Sequence, residues 1–181
     1  MKEIINNKVR TVMRNHEESK MQQQCVAWFR AQYPQYAMLL THPINEGGKG
    51  TRVSGAIHKG EGTVAGVPDL LFFMPARYRT EHGFGPTYQA WEYIYHMLGI
   101  EFKTAKGKQS QEQKDFQKMF EAAENKYIVI RSFEQFRKEI NDYIAHIDDT
   151  LRRQVASVHV GIKQAAEQKE KERFYKIIGK K

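Results

Sequence analysis

The chain reads as an α/β protein organised around one sheet, with a helical extension at its C-terminus. Three observations predict this. Short β-prone runs stand at residues 36–42, 69–74, 98–104 and 127–131. Stretches with helical periodicity or capping signals, at 16–33, 110–125 and 132–146, alternate with them. The 181 residues, 40% of them hydrophobic, suffice for one cored domain plus an appendage.

Taken in order, residues 1–15 are expected to form a loosely held arm. Residues 16–33 read as a helix, because Met21, Cys25, Trp28 and Phe29 recur at helical spacing and Pro34 stops the run. A short strand at 36–42 follows. Residues 43–62 are glycine-rich and basic, with a flexible loop at 45–50 and room for a short helix at 51–60. The strand at 69–74 leads into a long aromatic-rich connection, 75–97, which does not suit a tight hairpin and reads as an insertion. A second apolar strand spans 98–104. Ser110 with Gln113 three residues on forms a capping-box pattern that opens the next helix. A buried-type strand at 127–131 and a helix at 132–146, opened by Ser132 with Gln135, complete the domain. From 148 to 178 a polar helix carries a thin apolar stripe, Leu151, Val155, Val158, Ile162 and Ala165, which fails beyond Ala165. That stripe packs on its own domain or meets a second copy. The expected division is an arm at 1–15, a domain at 16–147 and a basic helical tail at 148–181.

Composition narrows the function. Net charge is +8, with a pI near 9.5, which suits a polyanionic partner. Much of the excess lies in the tail, but Lys49, Arg52, Lys59, Lys106 and Lys108 flank the motifs described next. No apolar run approaches the roughly 20 residues of a membrane span, and the first residues lack the apolar stretch of a signal peptide. The single cysteine, Cys25, permits no intrachain disulfide and no zinc finger, and it suits a reducing cytoplasm. The histidines show no metal-binding spacing, and the run 47–50 lacks the pattern of a phosphate-binding loop. Tyr78, Tyr88, Trp91, Tyr93 and Tyr95 can stack on unpaired bases or pack on protein.

Two short segments carry the chemistry. One is Gly66-Val67-Pro68-Asp69-Leu70; the other is Ile100-Glu101-Phe102-Lys103. Strand side chains alternate, so Glu101 and Lys103 leave one face and Phe102 the other. An Asp from the end of a neighbouring strand then makes two carboxylates and a cation, the groups that metal-assisted phosphodiester hydrolysis needs. A Glu-x-Lys triplet alone carries little weight, since the chain holds five, starting at Glu18, Glu101, Glu112, Glu124 and Glu167. Only the one at Glu101 lies in an apolar strand close behind a Pro-Asp strand. Within the first helix Glu18 falls in the apolar arc and Gln22 on its edge. A carboxylate aimed at a core is costly unless paired or metal-bound; the alternative is a solvated Glu serving the helix dipole. Glu17 takes the position if the helix is rotated.

These residues resemble the VRR-NUC domain, a branch of the PD-(D/E)xK nucleases, from about residue 17 to 147. The resemblance begins at Glu18-Ser19-Lys20-Met21-Gln22 and Trp28-Phe29. It continues through Asn45-Glu46-Gly47, Gly62, Gly66-Val67-Pro68-Asp69-Leu70 and Ile100-Glu101-Phe102-Lys103-Thr104. It closes at Gly107, Ser110, Gln113, Tyr127-Ile128-Val129 and Ser132. The 77–97 connection is longer than the family pattern, and the tail lies outside it. The resemblance implies a restriction-endonuclease-like core, with a central mixed sheet flanked by helices. It implies Mg²⁺ or Mn²⁺ on Asp69, Glu101 and the main-chain carbonyl of Phe102, with Glu18 approaching the ion. It also implies that Lys103 acts on the attacking water or the phosphate, and that Gln22 and Gln113 orient site groups. Lys49, Arg52, Lys59, Lys106, Lys108 and Ser110 are the candidate DNA contacts. The implied partner is DNA, in branched form, with the chain acting as a homodimer in the manner of a Holliday-junction resolvase. A bacterial or phage-infected cell is the implied setting. Cleavage of flaps, forks or duplex, and a basic binding module without catalysis, are the competing readings.

Overall fold

The computed structural model describes residues 2–43, 60–81 and 89–178, with side chains described at 17–43, 60–77 and 94–178. Helix α1 (Lys2–Gln32) leads through a 3-10 turn (Pro34–Leu39) into β1 (Leu40–Thr41). Then come β2 (Leu70–Phe72), β3 (Ala76–Glu81), β4 (Gln89–Tyr95) and β5 (Leu98–Phe102). Helix α2 (Gln111–Ala122), β6 (Lys126–Ile130), α3 (Phe133–Ala145) and α4 (Asp149–Ile178) complete the chain.

A four-stranded mixed sheet runs β1-β2-β5-β6, antiparallel except for the parallel pair β5–β6. The parallel pair needs a crossover, and α2 supplies it. Every residue of β5 is buried, as a central strand covered on both faces requires. One face meets α1 and α3. Phe29 of α1 packs edge-on against Phe72 at 5.3 Å, and Phe102 stacks on Phe136 of α3 at 6.0 Å. The other face meets α2, where Phe120 packs edge-on against Tyr127. Gly99 makes that approach possible, since a Cβ there would lie 3.1 Å from Phe120 and from Pro68. Both capped helices start where the serines stand. Ser110 forms a complete capping box with Gln113, and the Ser132 hydroxyl accepts from the Gln135 amide.

Four expectations change. The first helix starts at Lys2, so the expected opening at residue 16 lies inside a longer helix. The strand expected at 36–42 is mostly the 3-10 turn, because Pro34 sits in its first turn and presets φ while Tyr36 turns into the core. The insertion is an antiparallel ribbon, β3 against β4, separate from the main sheet. Both motif strands are shorter than expected, so Asp69 just precedes β2 and Lys103 just follows β5. The short helix expected at 51–60 falls, but for residue 60, outside the described residues.

The long helix α4 begins packed and ends bare. Leu151 and Val155 rest against the core, whereas Val158 and Ile162 are exposed. Its start is fixed by Asp148, which takes the Thr150 and Leu151 amides on one carboxyl oxygen and Arg77 of β3 on the other at 2.5 Å. Burial pushes the Asp148 carboxyl up, but the Arg77 bond and charge and the two amides outweigh it and hold it below the usual range.

Candidate active site

Register brings the two motif carboxylates together. Strands β2 and β5 pair with Leu70 opposite Ile100, so Asp69 and Glu101 fall opposite one another one step further on. The Phe102 amide, lacking a strand partner there, donates to Asp69 Oδ2 at 2.7 Å. The turn before Asp69 fixes its approach. Gly66 has φ +85°, and a Cβ on it would lie 2.3 Å from the Glu112 carbonyl oxygen at the start of α2. The turn therefore sits directly on the N-terminus of the helix that supplies Gln113.

Glu101 is fully buried. Its Oε1 accepts from Lys103 Nζ and from Gln113 Nε2, and its Oε2 faces the Tyr127 hydroxyl at 3.4 Å. Burial and the Asp69 charge push its carboxyl up to about 7, against the pull of Lys103. Asp69 is raised too, first by burial and further by the charge of Glu18, while the Phe102 amide, Lys103 and His42 oppose the rise. The Tyr127 hydroxyl is likewise raised, by burial and by Glu101. Gln113 serves both ends of this arrangement: its Oε1 accepts the Ser110 amide at 2.9 Å while its Nε2 holds Glu101.

Glu18 reaches the same place from α1. Its Oε1 accepts the Thr104 amide at 2.8 Å, which ties α1 to the loop that leaves β5. Arg131, just past β6, clamps that loop by donating to the carbonyls of Thr104 at 2.6 Å and Gly107 at 2.9 Å. A side chain at Gly107 would be tight, because a Cβ would lie 3.0 Å from Thr104 Oγ1 and 3.2 Å from Glu18 Oε1, so both would have to give a little. Lys106 and Lys108 stand exposed on the clamped loop.

Against this geometry, comparison with known proteins is informative at one level. No protein-family model matches the chain, and no curated protein matches it. A solved structure described as a "VRR_NUC domain protein" superposes with a TM-score of 0.55 at 21% identity, over 72% of this chain and 90% of that one. This chain has the VRR_NUC fold. The mixed sheet, its flanking helices and the C-terminal helix all agree with it.

Within this VRR_NUC-like fold, Asp69, Glu101, Lys103, Gln113 and Glu18 converge through the contacts just described. Gln22 is more peripheral, at 3.5 Å from the Asp69 carbonyl. Ser110 has its hydroxyl engaged in the α2 cap. Lys49, Arg52 and Lys59 lie outside the described residues. Three participants escaped sequence reasoning: His42, whose Nδ1 lies 2.6 Å from the Asp69 carbonyl, Tyr127 and Arg131. Each sits on or just beyond a strand adjoining a motif strand, β1 or β6, so only the sheet order could have singled them out.

The donor chemistry suits a hard divalent cation. Two opposed carboxylates offer oxygen ligands, the Phe102 carbonyl being the third that the resemblance implies, and the Asp69 charge that adds to burial in raising Glu101 is what such a cation would offset. Among the described residues no three His, Cys, Asp or Glu side chains cluster as a metal site. A bound ion would therefore depend on that carbonyl and on water.

Proposed function

We propose that this protein is a metal-dependent DNA endonuclease that hydrolyses phosphodiester bonds in branched DNA. The single observation carrying the reading is the convergence of Asp69, Glu101 and Lys103 at the end of β5, beside a loop bearing Lys106 and Lys108. The name of the structural neighbour supports a nuclease-type domain.

Asp69, Glu101 and the Phe102 carbonyl would hold Mg²⁺ or Mn²⁺, with Glu18 alongside. Such an ion, when bound, lowers the pKa of its water and offsets charge developing on phosphate oxygens. The protein's own groups do the rest. Gln113 and Tyr127 fix the rotamer of Glu101. Lys103, held against Glu101, positions the attacking water or neutralises the pentavalent phosphate. The new bond joins water oxygen to phosphorus, and the bond to the 3′ oxygen breaks, leaving 5′-phosphate and 3′-hydroxyl ends.

A Holliday junction has two-fold symmetry and needs two symmetric cuts, which a homodimer supplies. Cleavage of flaps, forks or plain duplex is the second reading. A binding module without catalysis has no use for an acidic pair buried beside a lysine. The test is cleavage of labelled four-way, flapped, forked and linear DNAs with Mg²⁺. Paired symmetric nicks in the four-way DNA support the resolvase reading, cuts confined to flaps, forks or linear duplex support the second, and no cleavage of any substrate overturns both.

A further inference from the structure

A groove of about 420 Å³ opens between α1 and the sheet edge formed by β1 and β2. Its floor is apolar, from Val26, Leu40 and Leu70, and its rim is polar, from Gln22, Gln23, Arg30 and His42. Three properties point to one occupant. The groove is continuous with the site, because Gln22 and His42 both reach the Asp69 carbonyl. No carboxylate lines it, and among the described residues none pairs with the exposed Arg30, so its open charge is positive. Its length also fits: Gln22 and Arg30 are about two helical turns apart, about 12 Å, or roughly three to four base-pair rises along the axis of a DNA duplex.

We infer that this groove holds the DNA strand next to the scissile phosphate, with Arg30 on a backbone phosphate about three nucleotides away. Gln22 and His42 stand between that strand and Asp69, so they line the passage from groove to reaction. The inference rests on the nuclease reading, and its test separates the two.

Binding of a fluorescein-labelled flapped DNA is measured by anisotropy in a Glu101→Ala background, which uncouples binding from cleavage. Adding Arg30→Ala should weaken binding at least fivefold and reduce the slope of log K against log salt by about one, as loss of one phosphate contact requires. Val26→Phe, which fills the floor, should weaken binding with the melting temperature preserved. Lys138→Ala, a charge loss on α3, should stay within twofold of the parent. An unchanged affinity and salt slope for Arg30→Ala overturns the groove assignment even if the wild-type chain cuts DNA. Binding with the expected Arg30 effect but no cleavage by the wild type overturns the nuclease reading instead. Absence of any DNA binding overturns both.

Discussion

At Glu101 one buried carboxylate takes Lys103, Gln113 and Tyr127, so its removal and that of its partners have separable outcomes. Glu101→Ala and Asp69→Ala should each abolish Mg²⁺-dependent cleavage of labelled DNA. Binding should hold or improve, since anionic repulsion of the phosphate is lost. Cleavage at the wild-type rate by Glu101→Ala would remove the site assignment. Lys103→Ala should lower turnover by about 100-fold or more with little effect on metal affinity by calorimetry, because an ammonium is no ligand. Gln113→Ala should act twice. It should slow turnover about 10-fold or more through a disoriented Glu101, and it should destabilise the fold by roughly 0.5–1 kcal/mol through the lost half of the cap. A melting-temperature drop with unchanged turnover would mean that Gln113 is a cap alone.

Element-scale consequences follow from two junctions. The turn at Gly66 meets the first turn of α2 so closely that Gly66→Ala must move backbone against backbone, as well as adopting a positive φ. A cost of at least about 2 kcal/mol is expected, a fall of roughly 5 °C in melting temperature for a chain of this size. An unchanged melting curve would show that the turn can relax away from the helix. At the other junction, Asp148 joins β3 to α4 and has a depressed folded pKa. Its contribution is therefore present above the unfolded value of about 3.9 and lost as pH falls through the lower folded value. Asp148→Asn should be less stable than wild type at pH 6 by urea denaturation. That gap should narrow below about pH 4; a gap constant from pH 6 to 3 would remove the ionised pair from the account.

Across the whole molecule, the exposed part of the α4 stripe is a surface the domain core does not consume, and the β3–β4 ribbon stands outside the main sheet although Ala76, Ile94 and Tyr95 pack on the core. If one of them mediates pairing, light scattering at micromolar concentration should report about twice the 21.2 kDa chain mass. It should bury roughly 1,200 Å² or more. A monomer that still makes paired nicks would end the dimer argument. How legible all this was in the sequence varied with the range of the interactions. Helices α2 and α3 were readable because Ser110 and Ser132 announce their own caps locally. The Glu101–Lys103 pair was readable because alternation places both on one face, and Asp69 because Pro-Asp opens the apolar run that precedes that pair in the chain. The 3-10 turn was not, since its apolar run fits a strand equally well and the buried Tyr36 decides the outcome. His42, Tyr127 and Arg131 were not, because their importance comes from neighbouring strands distant in sequence.

That same long-range wiring sets a timetable during synthesis. Glu18 meets its partner amide 86 residues later, and the Arg131 clamp emerges later still. At ribosomal speeds the gap between Glu18 and Arg131 is roughly 5 to 20 seconds. In the last part of that interval, after Glu101 and before Arg131, the nascent chain carries every acidic residue of the cluster yet lacks the clamp on the loop that leaves β5. The proposed site should therefore assemble late, when β6, the strand bearing Tyr127, joins the sheet.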